Sequence, residues 1–214
     1  MTRIKICGIT EVPYARAAIK AGADFIGVVF AASPRQVTYD KAREIVTAAR
    51  AHNRPVVGVF VNQPAAAVNA IASFCELDWV QLSGDETWEY CHQIEKSVIK
   101  TIHVAPDWGD SDLLRHLETG QRAIGSRSPL YLLDTSVKQR YGGTGQAFAW
   151  EIARQAATEY PVIIAGGLKP GNVGQVVASL DPWGVDVSSG VETKGVKSAS
   201  KIKAFITAVR QNSD

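Results

Sequence analysis

Arg3-Ile4-Lys5-Ile6-Cys7-Gly8-Ile9-Thr10 opens the chain with charged and apolar residues in alternation and then breaks at a glycine. Alternation of Arg3 and Lys5 with Ile4 and Ile6 has the two-residue period of a β-strand. Gly8 ends that strand in a turn that residues carrying a Cβ resist. Glu11-Val12-Pro13 then starts a helical pattern, with Thr10 as its N-cap and Pro13 tolerated in the first turn. Cys7 is thereby predicted at the carboxyl end of a first strand, facing a loop. In α/β folds that end carries the chemistry.

The same strand-then-helix unit recurs outward from this stretch. An alanine-rich helix over 12–21 is closed by Gly22, and 24–30 is a near-continuous apolar run, as in a strand covered on both faces. Thr38 and Asp40 offer N-caps for a helix through Ala51. Further strands are predicted at 55–61, 78–82, 98–104, 130–134, 161–165 and 184–187. Helices are predicted between them, ending near Phe74, over 87–96, over 110–117, over 148–159 and up to Leu180, with a last one over 198–210. The stretch 120–128, entered through Gly120, reads as a connection. Strands that alternate with helices need parallel crossovers. A doubly wound open sheet usually has fewer units, and no GxGxxG stands between the first strand and first helix. Eight units in 214 residues predict an α/β fold, a single (β/α)8 TIM barrel domain over 1–214.

Composition narrows the function classes. The formal net charge of +2 gives no strong field, so charge points to no nucleic-acid or membrane partner. No apolar run approaches the roughly 20 residues of a membrane-spanning helix, and the N-terminus lacks a signal-peptide core. Three cysteines without CxxC or metal-like spacing fit a reducing compartment, and a cytoplasmic protein is expected. The histidines, His52, His92, His103 and His116, show no metal spacing; His103 alone falls near a strand end, where it can line a pocket wall.

In such a barrel the loops following the strands build the site. The groups there are Cys7, Arg35, Asn62, Gln81, Asp134, the loop Gly142-Gly143-Thr144-Gly145, Gly166-Gly167 and the stretch Asp186 to Gly190. Gly-rich turns after strands seven and eight, leading into helices, set backbone N–H groups around an anion, and in barrels that anion is frequently a phosphate. A cysteine at a strand end is more often a small buried hydrophobe than a reactive group, and its ordinary pKa of about 8.5 leaves little thiolate at neutral pH. Cys75 and Cys91, inside helical patterns, take the core reading. Lys5 lies on the same strand face as Cys7, and an ammonium close to the thiol lowers its pKa. Asp134, after the apolar run Leu130 to Leu133, is either a turn-making residue or an acid held protonated by partial desolvation. Arg35 is either a solvated loop charge or a bidentate clamp for a carboxylate or phosphate.

Taken together and in order, Lys5-Ile6-Cys7-Gly8-Ile9-Thr10, Ser33-Pro34-Arg35, Gln81-Leu82-Ser83-Gly84, Leu132-Leu133-Asp134, Gly142-Gly143-Thr144-Gly145, Ala165-Gly166-Gly167-Leu168 and Asp186-Val187-Ser188-Ser189-Gly190-Val191-Glu192 resemble the phosphoribosylanthranilate isomerase family of tryptophan biosynthesis. The first and last of these segments are the specific ones. The resemblance implies a cytoplasmic, free-standing isomerase, monomer or homodimer, without the indole-glycerol-phosphate synthase domain sometimes fused in this family. It implies the Amadori rearrangement of N-(5-phosphoribosyl)anthranilate to the 1-deoxyribulose 5-phosphate derivative, with no cofactor and no metal. Asp134 is implied as general acid, Cys7 as general base and Arg35 as the holder of the anthranilate carboxylate. The turns at Gly166-Gly167 and Ser188-Ser189-Gly190 are implied to hold the phosphate, and Gln81, Gly143 and Asp186 to complete the substrate contacts. Many relatives have histidine where this chain has Ser83. A related isomerase that opens an aminoaldose in histidine biosynthesis would need a second aspartate where this chain has Cys7. A barrel that only binds phosphosugars as a regulator would not need the pair Cys7 and Asp134.

Overall fold

The computed structural model describes residues 1–105, 107–125, 129–134 and 150–213. Eight parallel strands close into a barrel in sequence order: β1 Arg3–Ile6, β2 Phe25–Val29, β3 Val56–Phe60, β4 Trp79–Leu82, β5 Ser97–His103, β6 Leu130–Asp134, β7 Val162–Ala165 and β8 Gly184–Val187. Outside it lie α1 Val12–Ala21, α2 Tyr39–Arg50, α3 Ala65–Phe74, α4 Trp88–Cys91, α5 Asp110–Ile124, α6 Arg154–Glu159, α7 Val173–Leu180 and α8 Ala199–Arg210. The barrel predicted from the repeating unit is the barrel observed. No helix among the described residues is long and apolar enough to cross a membrane.

Residue parity along each strand decides what fills the barrel. Phe25, Val57, Ile99, Leu132, Ile163 and Ala165 form the inner cluster, with Trp79 and Trp183 packed against it. The Arg3 guanidinium lies 4.5 Å from the centroid of a Trp183 ring. Alternate residues such as Ile4, Ile26, Val80, Ile102, Leu133 and Val185 point outward into the larger core beneath the helices. That double burial explains why the strands read as apolar runs.

Four local features differ from the sequence reading, each for a tertiary reason. Ile9 N–H stays bonded to the Gly27 carbonyl of β2, so the chain enters α1 one residue late and Glu11, not Thr10, takes the cap position. The helix read over 87–96 stops at Cys91, because the Asn69 side chain of α3 donates to the Gln93 carbonyl and accepts from the Glu95 N–H. Conversely α5 runs on through Gly120 to Ile124. There the glycine is a packing position, since a Cβ on it would lie 2.6 Å from the Trp88 ring. After β8 the chain forms an unpredicted hairpin, β9 Glu192–Thr193 and β10 Val196–Lys197, turning at Lys194 (φ 52°) and Gly195 (φ 80°). Positive φ at both positions is the two-residue turn that suits a β-ribbon.

Candidate active site

The carboxyl ends of the strands form one mouth, and parallel register decides which side chains meet there. Lys5 on β1 pairs with Asp186 on β8, so both point inward at one level. Their ion pair is 2.9 Å long, with the lysine side chain 1% exposed. Cys7 stands one inward position higher, where its backbone N–H donates to the Val187 carbonyl at 2.8 Å. Burial pushes its thiol above the ordinary value, against the pull of the Lys5 ammonium. Lys5 acts in the direction expected from sequence, but the desolvation of a buried thiolate outweighs it. Burial alone would lower Lys5; the charges of Asp186 and Cys7 hold it above its usual value.

Two glycines make room here, Gly27 for Cys7 and Gly8 for Arg35 and Ser188. A Cβ on Gly27 of β2 would lie 2.8 Å from the Cys7 sulfur. Gly8, at φ +70°, is crossed by the Arg35 stem: a Cβ there would lie 2.5 Å from Arg35 Cδ and 2.9 Å from Ser188 Oγ. Arg35 on the β2 loop and Ser188 at the end of β8 are thus gathered directly above the end of β1. Arg35 Nε and Nη2 donate to Glu192 Oε1 and Oε2 at 2.6 and 2.7 Å. Lys197 Nζ donates to Glu192 Oε1 at 2.6 Å and to the Ser188 carbonyl at 2.9 Å. Burial would raise the Glu192 carboxyl, but hydrogen bonds from Arg35 and Lys197 hold it below the usual range. Burial lowers Lys197, and Glu192 restores only part of that.

The turns after β7 and β8 abut each other. Gly166 and Gly167 adopt φ +84° and +65°, a left-handed conformation that glycine takes without steric cost. A Cβ on Gly190 would run into the Leu168 carbonyl oxygen, so glycine lets the short 3₁₀ turn Ser189–Val191 close onto the β7 turn. Asn172 braces that turn, accepting from the Lys169 N–H at 2.8 Å and donating to the Gly167 carbonyl at 3.1 Å. The two predicted phosphate turns therefore form one corner of the mouth.

On the opposite wall, Gln81 is buried and its Nε2 donates to Ser83 Oγ at 2.9 Å and Thr101 Oγ1 at 3.4 Å. Its Oε1 has no hydrogen-bond partner among the described residues. His103 Nε2 faces the Ser83 carbonyl at 3.1 Å, so that nitrogen donates. His103 is the register partner of Asp134, which ends β6 half-buried beside Ala165 of β7. Asn62 instead joins the β3 and β4 loops, receiving Asp85 N–H on Oδ1 at 2.7 Å. Gly143 and the whole loop 139–145 lie outside the described residues.

The structure thus brings Cys7, Arg35, Asp186 and Ser188 together, joins Ser189 and Gly190 to Gly166 and Gly167, and sets Gln81 and Asp134 on the walls of the same mouth. Sequence reasoning missed Glu192 and Lys197. Glu192 ended a quoted motif without a role, and only the hairpin, whose register opposes it to Lys197, reveals the pair.

The buried Lys5–Asp186 pair yields a stability prediction. Lys5→Met leaves a buried carboxylate unpaired and is expected to cost about 3–5 kcal/mol, whereas Lys5→Met with Asp186→Leu should recover most of it. Urea unfolding of the two variants measures the difference.

Comparison with known proteins follows the same lines. A family model described as N-(5'phosphoribosyl)anthranilate (PRA) isomerase matches residues 4–208. The chain is 50% identical over 212 residues to the N-(5'-phosphoribosyl)anthranilate isomerase of Dehalococcoides mccartyi, covering 98% of this chain and 96% of that one. Among solved structures, phosphoribosyl anthranilate isomerase from Thermotoga maritima superposes with a TM-score of 0.84 at 35% identity, covering 99% and 100% of the two chains. A second isomerase structure, in complex with reduced 1-(o-carboxyphenylamino)-1-deoxyribulose 5-phosphate, matches with a TM-score of 0.80 at 32% identity and the same coverage.

Proposed function

Since the chain belongs to the N-(5'-phosphoribosyl)anthranilate isomerase family, we propose that it performs this isomerisation with Asp134 as general acid and Cys7 as general base. The isomerase activity, a step of tryptophan biosynthesis, comes with the family. The assignment of roles rests on position: Cys7 and Asp134 end β1 and β6 at the same mouth, separated round the ring by β7 and β8.

Asp134, protonated, gives its proton to the furanose ring oxygen of the substrate. The C1–O bond breaks, and the anthranilate nitrogen lone pair forms an iminium with C1. Cys7, as thiolate, removes the proton from C2, and those electrons neutralise the iminium to give an enolamine. A proton then returns at C1 and one leaves the C2 hydroxyl, so that the product is the 1-amino-1-deoxy-2-ketose with no net change in atoms. The substrate's own nitrogen is the electron sink. Geometry supports this pairing because donor and acceptor approach one sugar from different walls of the mouth, and each such group contributes about 10²–10⁴-fold.

The double turn at Gly166-Gly167 and Ser188-Ser189-Gly190 receives the phosphate, and Arg35 receives the aromatic carboxylate. Buried Gln81 Oε1 is suited to accept from the substrate's amine N–H or a sugar hydroxyl, since an unpaired buried acceptor costs about 1–3 kcal/mol until one arrives. Asp186 holds Lys5 beneath Cys7.

The decisive experiment generates phosphoribosylanthranilate in situ and follows its disappearance with and without the protein. Consumption well above the spontaneous rate is expected; consumption at the spontaneous rate would overturn the assignment.

A further inference from the structure

Arg35 is the residue proposed to receive the aromatic carboxylate, yet the edge of its guanidinium formed by Nε and Nη2 is already taken by Glu192 at 2.6 and 2.7 Å. A side-on bidentate carboxylate satisfies one donor from each of those nitrogens and fixes the plane of the group. Glu192 is itself immobilised. It opens β9 directly opposite Lys197 of β10, its side chain is 6% exposed, and Lys197 donates to the same Oε1 at 2.6 Å while anchoring the Ser188 carbonyl at 2.9 Å. The two hairpin strands, the β8 loop and Arg35 are therefore one braced unit standing over Gly8 and Cys7.

Charge points the same way. Arg35 and Lys197 bring two positive charges to one carboxylate, so among the described residues this unit carries one positive charge that Glu192 does not balance. A ligand carboxylate completes it. The edge left for that ligand is the outer one, where Nη1 and the second hydrogen of Nη2 point.

We propose that Glu192 is a positioning residue for substrate recognition: by holding the inner edge of Arg35, with Lys197 holding Glu192, it aims the outer edge at the substrate's aromatic carboxylate. The proposal rests on the reading that Arg35 binds that carboxylate. It follows that lysine at position 35 should not replace arginine, since one ammonium cannot offer two planar edges.

The test uses the reduced product analogue, 1-(o-carboxyphenylamino)-1-deoxyribulose 5-phosphate in reduced form, and the same compound lacking the carboxylate. Calorimetry on the wild-type chain, Arg35→Ala, Glu192→Gln and Glu192→Asp gives, for each, the ratio of the two dissociation constants. Both compounds carry the phosphate, so the ratio isolates recognition of the carboxylate. In the wild-type chain the carboxylate should tighten binding about tenfold or more, as charge-assisted hydrogen bonds do. That advantage should fall to within about threefold in Arg35→Ala and in both Glu192 variants. The aspartate variant keeps the charge but falls one methylene short, and it serves also if the glutamine variant does not fold. A merely structural Glu192 would lower the melting temperature and weaken both compounds alike, leaving the ratio unchanged. An unchanged ratio in the Glu192 variants with a collapsed one in Arg35→Ala would overturn the proposal while leaving Arg35 as the carboxylate holder. An unchanged ratio in Arg35→Ala would overturn both.

Discussion

The Asp134→Asn variant is expected to lower kcat about 10²–10⁴-fold, with a melting temperature close to that of the unaltered chain. Asparagine matches aspartate in shape but has no proton to give to the furanose oxygen. The fold should tolerate it because β6 is held by its other residues: Tyr131, Leu132 and Leu133 are buried, and the backbone carbonyl of Asp134 accepts from Val104 whatever the side chain. Loss of an interaction made only in the transition state lowers kcat and kcat/KM together. Steady-state kinetics beside a thermal melt reads both quantities, and turnover within a few-fold of wild type would remove Asp134 from the mechanism.

Cys7→Ser is expected to cost a similar factor, about 10²–10⁴-fold in kcat, since a serine hydroxyl is not ionised in this pH range. The smaller hydroxyl fits where Gly27 already crowds the sulfur, so stability should change little. The wild-type pH profile tests the same residue independently. A base acts when deprotonated, and burial holds this thiol above its ordinary value. Wild-type kcat/KM should therefore keep rising as pH passes about 8.5, the ordinary thiol pKa. Stability should run the other way. A raised thiol pKa means that the folded state keeps its proton longer than the unfolded chain, so this contribution is full below the unfolded pKa and is lost as pH rises. Cys91, pushed up to about 11, and Tyr131, pushed up to about 12, both chiefly by burial, add to that alkaline loss. A profile that reaches its plateau below pH 7 would contradict the thiolate role.

The barrel was legible because its signals are local. Period-two alternation at Arg3 to Ile6, apolar runs at each later strand and a cap such as Thr38, whose Oγ1 accepts from Lys41 N–H at 3.2 Å, depend on near neighbours. Legibility failed where a distant side chain overruled a local preference. Gly120 reads as a breaker until the Trp88 ring is seen to need its missing Cβ, and residues 92–96 read as helical until Asn69 claims their backbone. Strand ends located Cys7, Arg35 and Asp134, but not the environment of any of them.

By itself the sequence determined the closed α/β barrel, the end of each strand and, through motifs in order, the family. Only the tertiary structure decided which charges meet. Lys5 finds Asp186 181 residues away and Arg35 finds Glu192 157 residues away. Both pairings exist because ring closure sets β1 beside β8 and the loops that follow β2 and β8 close to each other. Periodicity is fixed by the geometry of a few consecutive peptides, whereas a buried ion pair depends on register between strands at opposite ends of the chain. That is why Cys7 could be placed from the opening stretch, while the burial that raises its pKa and the brace that aims Arg35 above it could not.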